Sequence, residues 1–247
     1  MLDPSTVLKL ESVSLAFGVD FYRRRSFRDW AANPFATQPK GARQLIVSDS
    51  ISLEIKRGQR LGILGRNGAG KTSLCRLIAG IYTPDSGRIL RQGTIRAVLD
   101  TAIGTFPELT GRENAELLSH FIFSDRPDRA ELVREAIEWS ELGPQIDTAF
   151  QTYSRGMQTR LVLSLISALP YDLLILDEVF DGADRFFSEK TLPRVMRMIE
   201  NSGAVVFVSH SESQIRKVCN RVLVLEQGKV LFDGEPDAGL DFYMKRG

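Results

Sequence analysis

Extremes of composition are missing from this sequence. Of 247 residues only two are cysteines, Cys75 and Cys219, and neither belongs to a CxxC pair or a Cys/His cluster. A disulfide framework and a thiolate metal site are thereby excluded, and reduced thiols suit the cytosol. Charge of one sign is not in excess either, since 32 Lys and Arg face 31 Asp and Glu for a net +1. No global field draws in a polyanion, so a general nucleic-acid binder is disfavoured and any basic surface has to be local. No stretch approaches the roughly 18 uninterrupted apolar residues of a membrane span. The opening MLDPSTVLKLESVSL lacks the basic start and apolar core of an export signal. A chain that neither crosses a membrane nor leaves the cytosol by itself is expected. Internal repeats and low-complexity tracts are absent as well. What remains, 43% hydrophobic and 26% charged residues, is ordinary globular composition with enough apolar mass for a full core.

Residues 8–17 and 51–55 alternate apolar and polar side chains, which predicts strands with one face toward solvent and an antiparallel β section near the front. Between them, residues 18–43 lose the alternation and carry FYRRRSFRDW and then a Pro/Asn/Ala/Gln/Gly-rich stretch, an insertion with at most one short helix. Residues 61–64, a Gly-rich loop and an apolar-periodic helix from Lys71 to about Gly80 form a strand, loop, helix unit, with Pro84, Asp85 and Gly87 marking the turn after it. From Thr110 to about Leu142 the pattern is helical, with Asp128 as N-cap and Leu132, Val133, Ala136, Ile137 and Trp139 at helical spacing. A helical subdomain over about residues 106–168 is expected there. The apolar runs 173–176 and 204–208 read as buried parallel strands. A final hairpin, RVLVLEQGKVLFDG, turns at Gln227 and Gly228, and the tail 235–247 has room for one short helix.

The loop GRNGAGKTS, residues 65–73, fits GxxxxGK[ST] in the context that its chemistry needs, after a strand and at the start of a helix. Gly65, Gly68 and Gly70 let the backbone come close to phosphates, and Arg66, Asn67 and Ala69 complete the cradle. Lys71 reaches the β and γ phosphates of ATP, the Thr72 hydroxyl is placed to ligate Mg2+, and Ser73 is a weaker phosphate contact. LLILDE supplies Asp177 at a strand end, where it can hold a metal-bound water, and Glu178 one residue further out, where it can orient or deprotonate the attacking water. A solvated acidic strand end is the plain alternative. His210, after AVVFV, can donate to the γ-phosphate or merely cap a turn, and His120 reads as structural. YSRGM, residues 153–157, precedes an apolar helix with Ser154 as N-cap, giving a second anion half-site with no lysine and no strand carboxylate. It suits a nucleotide held by another copy, or it is an ordinary capped helix.

The ordered set GRNGAGKTS, YSRGM, LLILDE and VSH resembles the ATP-binding-cassette ATPase family over nearly the whole chain. The resemblance implies an α/β fold, a P-loop NTPase core with an antiparallel β subdomain and an inserted α-helical subdomain. YSRGM stands at the place of the LSGGQ signature, so Ser154 and Gly156 take its contact with the γ-phosphate across a head-to-tail dimer. Glu178 becomes the catalytic base, His210 the switch histidine, and Ala183 with Asp184 the loop that crosses the interface. FPELTGREN, residues 106–114, together with YSRGM and LDEVFDGADRFF, is similar to ATPases that export O-antigen, capsule or teichoic-acid polymers. Departures are visible too. The family's switch glutamine is missing, with Asp100 or Thr101 at about its place and Asp100 a further candidate for Mg2+; Arg155 replaces a usual Gly and Met157 a usual Gln. The family's adenine-stacking aromatic corresponds to Phe17, with Tyr22 as rival. Arg23, Arg24, Arg25 and Arg28 lie among Phe21, Tyr22, Phe27 and Trp30, a group suited to anionic headgroups or a glycan-lipid pyrophosphate, or else a charged loop.

The function implied is the ATPase subunit of an exporter of lipid-linked polysaccharide, paired with a second copy, attached to the cytoplasmic face of the membrane through a separate permease, and without nucleic acid. The tail 235–247 leaves no room for the separate carbohydrate-binding domain that some O-antigen ATPases carry. The alternative is a soluble ABC-type ATPase for DNA repair, chromosome or ribosome work, whose long coiled coils or tandem cassettes this sequence lacks.

Overall fold

The computed structural model describes residues 2–19, 43–99, 104–124, 126–178 and 185–246. Strands β1 (Thr6–Val19), β2 (Arg43–Lys56) and β3 (Arg60–Leu64) are followed by α1 (Lys71–Ala79), β4 (Ser86–Arg91) and β5 (Ile95–Val98). Helices α2 (Gly111–Ile122) and α3 (Arg129–Ser140), short 3-10 turns at Gly143–Asp147 and Phe150–Thr152, and α4 (Arg155–Ile166) come next. Then follow β6 (Leu173–Asp177), α5 (Arg185–Asn201), β7 (Ala204–Val208), α6 (Glu212–Val218), the hairpin β8 (Arg221–Glu226) and β9 (Lys229–Gly234), and α7 (Pro236–Met244).

β1 lies between β2 and β4 in an antiparallel sheet. Its ladder runs well past the limits that alternation indicates, pairing Gly18 with Gln44 and Val19 with Arg43. The arms extend beyond the core, where Phe17 is 38% and Ile46 53% exposed, so neither face there has to be apolar and the period-2 signal fades. The insertion expected at 18–43 therefore begins at the tip of this ribbon, and residues 20–42 lie outside the described set. Gly87 also departs from expectation. It sits inside β4 at φ +81°, and a Cβ on it would stand 2.4 Å from the carbonyls of Glu11 and Ser12. Its role is a close backbone approach beside the register shift in β1, not a turn.

The second sheet has the order β5-β6-β7-β3-β8-β9, with β9 antiparallel to β8 and every other pair parallel. All five residues of β6 and of β7 are buried, which is why both read as unbroken apolar runs. Alternate side chains feed two cores. Leu174, Leu176, Val205 and Phe207 pack with the helices from α2 to α5, while Leu173, Ile175, Val206 and Val208 pack with α1 and the antiparallel sheet. Gln227 and Gly228 both have positive φ, +49° and +77°, in the two-residue connection between β8 and β9, the backbone that the right-handed twist of a tight hairpin selects.

Asp128 precedes α3 but makes no side-chain cap. Arg126 takes its carboxylate instead, at 2.8 and 2.6 Å. α2 is the better-defined start: Thr110 accepts from the Glu113 amide at 3.2 Å and its own amide donates to the Glu113 carboxylate at 2.8 Å, a closed capping box.

Candidate nucleotide site

Three parallel strands bring the candidate residues to one edge. Val208 pairs with Ile63 on one side and with Asp177 on the other, so β3, β7 and β6 end level. Parallel pairing places all their C-terminal ends on the same rim, and Gly65 to Gly70, Asp177 with Glu178, and Ser209 with His210 continue directly from those ends.

The loop after β3 is an open backbone cradle. Gly68 has φ +81° with open space where a Cβ would be, and Gly70 has φ +104° with a would-be Cβ 2.4 Å from the Val47 carbonyl. Any side chain at Gly70 would drive the loop off β2. Gly70 also precedes α1 without a side-chain cap, and α1 has no acidic residue in its first turn. Its leading amides and dipole are therefore offered to an external anion. Arg66, Asn67 and Gly68 are exposed at the mouth, whereas Ala69 and Lys71 are buried and Thr72 and Ser73 half-buried. The Lys71 ammonium donates to the Gly65 carbonyl at 2.8 Å and the Arg66 carbonyl at 3.4 Å, which curls it back over the loop.

Asp177 is only 6% exposed, and its Oδ1 has no hydrogen-bond partner. Burial pushes its carboxyl above the usual range, with Glu178 adding, while the Thr72 hydroxyl bond and the Lys71 and Arg76 charges oppose the rise. A buried carboxylate oxygen without a donor, beside a hydroxyl, is the hard oxygen set that Mg2+ takes when phosphates and water supply the remaining ligands. No group of three or more His, Cys, Asp or Glu suited to a metal occurs among the described residues.

Glu178 stands at φ +52°, a left-handed backbone that a non-glycine residue adopts only at a cost. Its amide donates to the Val208 carbonyl at 3.0 Å, and its carboxylate contacts His210 Nε2 at 2.9 Å. The turn is stiffened by Ser209, whose hydroxyl donates to Gln214 Oε1 at 2.8 Å and accepts from the Ser211 amide at 3.0 Å. The candidate base and the candidate histidine are thus brought together, both solvent-accessible at the rim.

The signature segment lies at the start of α4, where Ser154 accepts from the Met157 amide at 3.3 Å, the capping bond that the sequence indicates. Tyr153 is buried and donates to the Gln145 carbonyl at 2.7 Å. A Cβ at Gly111 would fall 2.1 Å from the Tyr153 hydroxyl, whereas one at Gly156 would meet nothing closer than the Ser154 hydroxyl at 3.8 Å. Among the described residues nothing requires glycine at 156. FPELTGREN is a scaffold: buried Asn114 accepts from the Phe106 amide at 2.7 Å and donates to the Phe106, Leu109 and Thr110 carbonyls. Phe17 meets Tyr82 edge-on, with centroids 5.4 Å apart, and Arg76 donates to the Tyr82 hydroxyl at 2.9 Å. Asp100, Thr101, Ala183, Asp184, Tyr22 and the arginine cluster at 23–28 lie outside the described residues.

The hairpin turn expected at Gln227 and Gly228 is present, and the structure adds that it buttresses the cradle. The Gly228 amide donates to the Ala69 carbonyl at 3.0 Å, and the Asp49 amide donates to the Gly228 carbonyl at 2.9 Å. The turn signal at 227 and 228 was visible, but its place against the loop depends on β8 lying beside β3. Cys75, read from the sequence as a reduced thiol, is fully buried on α1 with its pKa raised well above the ordinary value, chiefly by burial, which marks it as an inert core residue.

Residues 48–181 match the protein family described as ABC transporter. The chain is 37% identical to the O-antigen export system ATP-binding protein RfbE of Yersinia enterocolitica over 74% of its own length and 76% of that protein's. It is 33% identical to the O-antigen export system ATP-binding protein RfbB of Klebsiella pneumoniae, covering 83% of this chain and 82% of that one. A teichoic acids export ATP-binding protein, TagH of Staphylococcus epidermidis, is 33% identical over 79% of this chain and 74% of its own. Among solved structures, a dimeric ATP-binding cassette in a post-hydrolysis state with ADP and Pi aligns with TM-score 0.71 at 19% identity, over 93% of this chain and 98% of that one.

Proposed function

The chain belongs to the ABC transporter family, and from that membership we propose that it is the ATP-hydrolysing subunit of an exporter of lipid-linked polysaccharide. The observation that carries the chemistry is the single rim on which the cradle, Asp177 and the Glu178–His210 pair meet. The cargo assignment is supported by relatives named for O-antigen and teichoic acid export.

In this reading the amides of residues 65–73 and the Lys71 ammonium bind the phosphates of ATP. Thr72 and Asp177 hold Mg2+, which neutralises charge that develops on the phosphates. Glu178 accepts the proton of the attacking water and His210 orients the carboxylate and the γ-phosphate. Ser154 and Gly156 close the site from a second, head-to-tail copy, in keeping with the open space beside Gly156. Phe17 stacks on adenine at the outer end of β1. By family resemblance Asp100 is a further candidate for Mg2+, and Ala183 with Asp184 for the contact between copies. No helix among the described residues is long and apolar enough to cross a membrane; attachment to the cytoplasmic face through a permease is part of this reading, supported by relatives named for export systems.

The test is co-expression with a six-helix permease from the same gene neighbourhood, purification of the complex, and reconstitution with a lipid-linked glycan in proteoliposomes. ATP-dependent glycan movement is expected. Failure to bind any such permease, with ATP turnover intact, would point to a soluble ATPase and overturn the export assignment.

A further inference from the structure

The helix that begins with the signature segment is gripped at its opposite end. α4 has no basic residue in its own last turn, so the carbonyl end of its dipole takes positive charge from elsewhere. Arg194 of α5 supplies it. Its Nε donates to the Ser167 hydroxyl at 2.6 Å and a terminal nitrogen donates to the Ser164 carbonyl at 3.3 Å. Its guanidinium carbon stands 4.2 Å from the centre of the Trp139 ring on α3, within cation–π range. Burial lowers the pKa of Arg194, as does Arg197, while Glu135 opposes, and the guanidinium stays charged. A second grip lies beside the first, where the Tyr171 hydroxyl donates to the Ile166 carbonyl at 2.8 Å and Arg96 of β5 lies 5.6 Å from the centre of the Tyr171 ring. At the other end of α4 the bonds are local, from the Met157 amide to Ser154 and from Tyr153 to Gln145.

We propose that Arg194 is a positioning residue that fixes the tilt of α4 and thereby the place of Ser154 and Gly156 opposite the nucleotide of the partner copy. This role rests on the composite-site reading above. α4 has 12 residues, a length of about 18 Å, so a tilt of about 5° at its gripped end moves its start by about 1.6 Å. Misplacing a contacting group by about 1 Å costs roughly 10²-fold in rate. α5 is also the next described element after β6, so one side chain joins the signature helix to the helix that follows the strand of Asp177.

The experiment reads pairing and nucleotide binding separately in the full chain. In a Glu178→Gln background, ATP-driven pairing followed by sedimentation velocity is expected to need at least about tenfold more protein when Arg194→Leu is added. ADP affinity, set by the cradle, is expected to change by less than about twofold. Arg194→Lys keeps the charge but loses the fork and the flat stacking face, and is expected to restore only part of the pairing. Ser167→Ala guards against misfolding of the arginine variant and should shift pairing the same way by about threefold. Pairing equal to the parent with only a lower melting temperature, or ADP affinity falling as far as pairing, would show that Arg194 merely holds the fold. A Glu178→Gln parent that does not pair with ATP would overturn the composite site itself, and this role with it.

Discussion

Replacing Asp177 with asparagine should make the protein more stable in the absence of nucleotide and less responsive to it. The carboxylate is 6% exposed with one oxygen unpartnered, and burial is the first cause of its raised pKa. A folded pKa above the unfolded value means that the folded chain holds the proton more tightly. The ionised side chain therefore weakens the fold. That penalty is absent below the unfolded pKa of about 4, sets in as pH rises through the folded value, and persists at neutral pH. An unpaired buried polar group costs about 1 to 3 kcal/mol. Asparagine has the same shape and no charge, and relieving about 1 kcal/mol raises Tm by about 2 to 4 °C for a chain of this length. Saturating Mg2+ and ADP, at about 100 times Kd, stabilise the wild type by about 2.7 kcal/mol. The variant should gain less than half as much. Thermal melts with and without ligand, repeated as the pH is lowered, read both effects, and the gap between the two proteins should narrow on acidification. An asparagine variant that melts below the wild type at neutral pH without ligand, or a gap that widens toward acid, would refute the account of a carboxylate held under strain for a metal.

Lys71→Ala removes a charge-assisted contact worth about 1.5 to 3 kcal/mol, so ATP should bind roughly 10- to 100-fold more weakly in a calorimetric titration. Glu178→Gln should leave ATP affinity within a few-fold and cut turnover by at least roughly 10²-fold, and near-normal phosphate release would remove Glu178 as the base. The two variants should fail at different steps.

Most of the local architecture of the candidate site was legible because it is encoded in contiguous residues. The strand, glycine loop and helix of residues 60–79 are dictated by local apolar pattern and spacing, and the burial of β6 and β7 on both faces is written in their unbroken apolar runs. Where local physics loosens, legibility went with it. The outer ribbon of β1 and β2 needs no apolar face to keep its ladder, and Asp128 found Arg126 instead of its helix amides because two donors competed for one carboxylate.

Alone, then, the sequence determined a glycine loop between strand and helix, a strand-end acid pair and a serine-capped helix start, since each needs only the backbone within a few residues of it. Tertiary structure decided how they act on one another. The contact of Glu178 with His210 joins positions 32 residues apart, that of Arg194 with Ser167 joins positions 27 apart, and the support of Ala69 by Gly228 crosses between neighbouring strands. Such pairings depend on strand order and helix packing, which are settled by burying both faces of the central sheet at once, a property of the whole chain and not of any segment in it.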